Sequence, residues 1–240
     1  MHATRVLLCV LGAWSITSGV SADVIDDFDN STNLGTWLLT TNPNFPPMFV
    51  QSGGNPGAYL EQHVSTAVPT WHINNPANNP FVGDYAGESV TGFSFDMIIT
   101  GGIEVPDRNM TLHLSTTLGT GDLSQGIEAW YVGTDISNFP TGWTHFSYDV
   151  DAASSTIPTG WVVFEGNGDA GTDADWHALM THIEDVGIAL GTPGFAYPNL
   201  GVWDLSLDNV QLSMAPAPGA GIMLALGALA YPGRRRTMMP

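Results

Sequence analysis

The chain predicts a mainly β fold: an antiparallel β-sandwich of jelly-roll type with one helix late in the domain. Short β-rich runs are punctuated, roughly every eight to fifteen residues, by Gly, Pro, Asn, Ser and Thr. From Gly92 to Thr100, Phe93, Phe95, Met97 and Ile99 alternate with Ser94 and Asp96, the two-residue period of a strand with one buried face. Helical spacing occurs in one segment, where Trp176, Leu179, Met180 and Ile183 recur.

The elements follow in order. Val24 to Phe28, Pro47 to Gln51 and Ala58 to Gln62 are the early strands. After Gly92 to Thr100 come Met110 to Leu114, Ile127 to Val132, Trp143 to Val150 and Gly160 to Phe164. The helix is announced by Thr172-Asp173-Ala174-Asp175, a capping box with a hydroxyl at the N-cap and a carboxylate three residues on. In the last strand, Val202 to Leu212, Trp203, Leu205 and Leu207 share a face that Val210 and Leu212 then take over. That shift predicts a bulge at Asp208 or Asn209.

Both ends differ from this pattern. Residues 1–22 read as a secretory signal: Arg5, the apolar run Val6 to Trp14, then Val20-Ser21-Ala22 ahead of a cleavage point before Asp23. The single cysteine, Cys9, lies in this segment, so the domain at 23–214 has neither disulfides nor thiolate metal ligands. Residues 215–240 form the third region. No charge occurs between Asp208 and Arg234, and Pro216-Ala217-Pro218 leads into the apolar run Gly219 to Tyr231. As a helix that run spans about 20 Å against a hydrocarbon core of about 30 Å, and extending it back to Met214 closes the gap. Arg234, Arg235 and Arg236 would stay cytoplasmic, holding a membrane-anchored precursor with its domain outside.

The order of Pro216 and Pro218, a short apolar helix and the Arg234 to Arg236 cluster resembles a PEP-CTERM sorting signal. The resemblance implies an exosortase-type processing enzyme as partner and export to a bacterial cell envelope, cell surface or extracellular matrix. Ala217 stands where the motif carries an acidic residue, and Tyr231-Pro232-Gly233 interrupts the helix before the arginines.

Charge narrows the partners of the domain. It holds all 23 acidic residues of the chain against Arg108 alone, and there is no lysine. Such a surface repels nucleic acid and attracts cations. Asp26, Asp27 and Asp29 lie at the first strand, and Asp204 and Asp208 at the last. Terminal strands of a jelly roll meet, which makes Asp27, Asp29 and Asp208 the candidate ligands of a structural calcium ion. A second set, Asn167, Asp169, Asp173 and Asp175, alternates like a calcium loop, although the helix cap already accounts for its last two members. Seven tryptophans follow the signal. Trp71, beside Pro69 and the loop from Asn74 to Pro80, is the one expected to be exposed for ligand binding.

Enzymatic signatures are missing. The sequence has no Glu-x-Asp-x-x-Glu strand, Gly-x-Ser-x-Gly elbow, His-Glu-x-x-His helix or phosphate-binding loop. His177 and His182, five apart on the helix, do not share a face. The chain is therefore expected not to be an enzyme.

A second resemblance supports this. Phe81-Val82-Gly83-Asp84 with Tyr85 and Gly87, then Phe93-Ser94-Phe95-Asp96, resemble the opening of a laminin B (laminin IV type A) domain. Val163-Phe164-Glu165-Gly166, the helix start, Leu179 and Met180 match its second half, and Leu207-Asp208-Asn209-Val210-Gln211-Leu212 its closing strand. The resemblance runs from about Trp71 to Leu212 and implies a non-catalytic extracellular module. Two functions fit: a structural or matrix protein of the bacterial envelope delivered by its C-terminal signal, or a carbohydrate-binding module for extracellular polysaccharide. An exposed aromatic strip over a concave sheet would favour the second, and a featureless acidic surface the first.

Overall fold

A computed structural model describes residues 22–29, 37–39, 47–73, 79–100, 108–117, 126–136, 139, 141–192 and 201–216. The segment expected to be a secretory signal, up to Ser21, and the tail expected to be a sorting signal, from Ala217 onward, lie outside the described residues. Among the described residues no helix is long and apolar enough to cross a membrane.

Twelve strands and two short helices are described: β1 (Val24–Asp26), β2 (Trp37–Leu39), β3 (Met48–Gly54), β4 (Gly57–Thr66), β5 (Thr70–Ile73), α1 (Tyr85–Glu88), β6 (Val90–Thr100), β7 (Asn109–Ser115), β8 (Glu128–Asp135), β9 (Thr144–Asp149), β10 (Trp161–Phe164), α2 (Asp173–Met180), β11 (Asp185–Leu190) and β12 (Gly201–Met214). They form two antiparallel sheets. The first runs β3-β4-β12-β6-β9, with β1 also on β12; the second runs β10-β8-β7-β11-β5-β2. This is the expected β-sandwich.

Strand β12 organises the first sheet. Its first half, Gly201 to Leu207, pairs with β4, and its second half, Val210 to Leu212, pairs with β1. The break between the halves is the expected bulge, seen as a register shift against β6 between Asp208 and Gln211. Asn209 sits there at φ 49°, the left-handed region that asparagine tolerates better than most residues. The terminal strands meet as anticipated, Val24 opposite Leu212. Asp23 reinforces the junction: its carboxylate accepts bonds from the Met214 amide and the Gln211 side chain, each at 2.9 Å.

Alternation sends Leu60, Val64, Phe93, Phe95, Met97, Leu205, Leu207 and Leu212 inward from the first sheet. Trp71, Ile73, Met110, Leu112, Leu114, Val186, Ile188 and Leu190 meet them from the second. Burying each such side chain stabilises the fold by about 1.5–3 kcal/mol. Arg108 is almost fully buried among them. Its guanidinium lies over the Trp203 ring at 4.7 Å, and Nη1 donates to the Leu190 carbonyl at 2.8 Å.

Helix α2 starts as its capping box requires, Thr172 and Asp175 bonding reciprocally. Those hydrogen bonds from Thr172 hold the Asp175 carboxyl below its usual range. The helix stops at Met180, however, and Ile183 lies beyond it, in an isolated bridge to Gly83. Trp71 also departs from expectation. It points inward from β5 and is 0% exposed, so it is a core residue rather than a ligand platform.

Candidate functional site

Alternation in β12 turns Asp208, the last residue in register with β6 before the bulge, toward the outer face of the first sheet, where the β3–β4 turn and β6 meet it. The turn joining β3 to β4 brings the Asn55 amide to Asp208 Oδ2 at 2.6 Å. The Asn209 amide, within the bulge itself, donates to Oδ1 at 2.8 Å. Asp208 pairs in register with Asp96 of β6, whose Oδ2 accepts from the side chains of Asn55 (3.2 Å) and Asn209 (2.8 Å). Asn209 Nδ2 also donates to the Asn55 carbonyl. On the far side of Asp96, His145 Nδ1 of β9 lies 2.7 Å from Oδ1. The backbone crowds this point: a Cβ on Gly54 would sit 2.6 Å from Asp208 Oδ2, so no side chain fits there.

The result is a pair of carboxylates bound by shared amides, with Asp29 at its rim. Asp29 Oδ1 accepts the Ala58 amide at 3.0 Å. Asp208 is 0% exposed, and its carboxyl is raised from 3.8 to about 6. Burial is the largest cause; the Asn55 and Asn209 amides pull it down, and the charges of Asp96 and then Asp29 push it up again. The structure therefore brings Asp29 and Asp208 of the expected calcium set into one electrostatic neighbourhood. Asp27 is exposed, and its Oδ1 accepts the Asp29 amide at 3.2 Å instead. Sequence reasoning missed Asp96, Asn55, Asn209 and His145. The available signal was the outward phase of Asp96 in the Gly92 to Thr100 alternation, which it shares with the cluster.

The other alternating set is occupied locally. Asn167 and Asp169 close their own turn, Asp173 Oδ1 accepts the Ile157 amide, and Asp175 belongs to the helix cap.

Beside the carboxylates lies an aromatic pair. Tyr59 faces outward from β4 between the inward Ala58 and Leu60. Trp143, just ahead of β9, crosses the outer face to meet it edge-on, with ring centroids 5.4 Å apart and planes at 80°. Trp143 Nε1 donates to the Gly53 carbonyl at 2.9 Å, which anchors the ring to the β3–β4 hairpin. Both rings remain partly exposed. Burial and then the Glu61 charge raise the Tyr59 phenol, so it is a neutral donor at physiological pH. His145 also lines a cleft of about 480 Å³ between β8 and β9, with Tyr131, Thr134, Phe146 and Tyr148 among its walls.

Metal ligation favours another place on strict geometry. Among the described residues, one set of three His, Cys, Asp or Glu side chains has ligand atoms all within 4.8 Å: His72, His113 and Asp185 on the second sheet.

No family model matches the chain, and no curated protein matches it. Similar solved structures include the K1 cleaved adhesin domain of Lys-gingipain from Porphyromonas gingivalis W83, at 10% identity and TM-score 0.44, covering 81% of this chain and 99% of that one. A family 30 carbohydrate-binding module of a cellulosomal cellulase from Clostridium thermocellum is 13% identical at TM-score 0.39, covering 73% and 86%. The L4b domain of human laminin alpha-2 is 11% identical at TM-score 0.38, covering 75% and 97%. The fold assignment rests on the two sheets themselves.

Proposed function

We propose that the chain is an exported, non-catalytic protein of the bacterial cell envelope or extracellular matrix that binds polysaccharide on the outer face of its first sheet. The observation that carries this is the Tyr59–Trp143 pair beside the Asp96–Asp208–Asn55–Asn209 lattice. Aromatic faces pack against the C–H faces of sugar rings, while amides and His145 meet hydroxyls. The acidic surface disfavours anionic polymers, so the ligand class is a neutral polysaccharide. Glycoside hydrolysis does not fit Asp96 and Asp208. They sit side by side under common amide donors rather than across a sugar, and Asp208 is out of reach of a glycosidic bond.

The test is a binding assay of the purified chain on neutral and uronate polysaccharides. Binding to a neutral polymer should weaken at least tenfold in Trp143→Ala and stay unchanged in Val202→Ala, whose side chain is exposed on the same face. Equal binding by wild type and Trp143→Ala, or binding to no glycan, would remove the proposal.

Calcium belongs to this reading in altered form. The carboxylates of Asp208 and Asp96, with Asp29 at the rim, are hard oxygen donors of the kind calcium takes, and rotating the Asn55 and Asn209 amides would add their carbonyl oxygens. For residues 215–240 the proposal is sorting by an exosortase-type enzyme from a membrane-anchored precursor. Deleting 219–240 should release folded domain into the medium, and changing Pro216 and Pro218 to alanine should leave unprocessed precursor in the membrane fraction. A deletion product that is unfolded by circular dichroism would contradict this.

A further inference from the structure

We infer a second site, unrelated to glycan binding: a transition-metal site of the zinc class on the outer face of the second sheet, bound by His72, His113 and Asp185. Register builds it. His72 of β5 and His113 of β7 both pair with Gly187 of β11, one from each side, and Asp185 lies two residues along that strand on the same face. A Cβ on Gly187 would lie 3.2 Å from Nδ1 of each histidine. The two nitrogens thus converge over the one position in the row that has no side chain. Asp185 Oδ2 completes the set, 2.7 Å from His72 Nδ1.

The surroundings suit an ion. His113 is 0% exposed, and among the described residues neither ring nitrogen has a hydrogen-bond partner. A buried ring nitrogen without a hydrogen bond is costly, and a metal on Nδ1 supplies that atom with a partner. Glu128 Oε2 lies 3.4 Å behind Nε2, in ion-pair range but outside good hydrogen-bond geometry. With Nδ1 on a metal, Glu128 would orient the ligating ring, as carboxylates do in many histidine metal sites. A divalent cation would also offset two buried carboxylates, Asp185 and Glu128. Trp130 packs its ring 4.3 Å from that of His113 and closes one side. Two imidazole nitrogens with a carboxylate oxygen match zinc and its neighbours, whereas calcium prefers oxygen alone.

The experiment uses the untagged chain, unfolded in guanidinium with chelator and refolded with or without zinc chloride. After desalting, elemental analysis should find one zinc per chain. Tm should rise by about 5–10 °C at free zinc near a hundred times Kd. Cobalt in place of zinc should give the visible absorption of a tetrahedral His/carboxylate site. In His113→Phe both the zinc and the spectrum should be lost, with circular dichroism and a metal-free melting curve showing that the variant is folded. If that variant does not fold, Asp185→Asn, which keeps the shape, should lose or alter the cobalt spectrum. No retained zinc in wild type, or full retention by the variant that folds, overturns the site.

Discussion

Phe95→Ala should lower the stability of the chain by about 4 kcal/mol, read as the shift of a urea unfolding midpoint at constant slope. Phe95 is fully buried at the centre of the first sheet's inner face. It stacks on Phe146 at 5.2 Å and on Tyr148 at 6.0 Å, and meets Phe93 edge-on at 6.3 Å. Truncation removes the ring's transfer free energy and leaves a cavity. Strands on both sides resist collapse into it, because Tyr148 is fixed by its hydroxyl bond to the Met110 carbonyl at 3.1 Å. Burial, followed by the Tyr131 interaction, also raises that phenol far above its usual range, so the bond persists at all ordinary pH. A loss under 1 kcal/mol would mean that this aromatic stack is not the core of the domain.

The second large effect is a pH dependence at Asp208. In the folded, metal-free chain its carboxyl holds a proton up to about pH 6, and in the unfolded chain only to about 3.8. The folded state therefore binds the extra proton between those values. The stability this contributes is fully present below about pH 4 and is lost as pH rises through 6, a change on the order of 2 kcal/mol. Asp208→Asn removes the titration. Wild type should therefore lose about 2 kcal/mol relative to the variant between pH 4 and pH 6.5, whichever of the two is the more stable at the start. Calcium binds the ionised form, so adding it should flatten the wild-type slope in this window. Groups common to both proteins cancel in the difference. Parallel stability curves in chelator would show that Asp208 titrates normally.

How much of this was legible beforehand depended on which residues faced one way. Gly92 to Thr100 could be read because only one of its faces is apolar. The bulge could be read because Trp203, Leu205 and Leu207 hand their face to Val210. Strand β11, Asp185–Leu190, was missed. Both its faces are buried, so it shows no alternation, and the helical run from Trp176 invited an extension through Ile183. Its outward members, Asp185 and Gly187, are the ones that meet the two histidines. Trp71 was misread because the loop beside it suggested exposure, while β5 is covered on both faces, burying Trp71, His72 and Ile73 alike. Asp29 and Asp208 could be placed together from the meeting of terminal strands. Asp96 and Asn55 could not, since strand order and turn geometry bring them in from 112 and 153 residues away from Asp208.

The pairing of β1 with β12 has a mechanical consequence. Asp23 is hydrogen-bonded to Met214, so the chain enters and leaves the sandwich at one corner. Tension applied between those two points would peel β1 from β12 one residue pair at a time, each step opposed by little more than a single backbone contact. Shear, which would load every pair at once, is not available from that corner. A domain attached this way yields when strung between two anchors but keeps its fold when hung from one. It suits a pendant bead on a tether better than a link in a stretched cable.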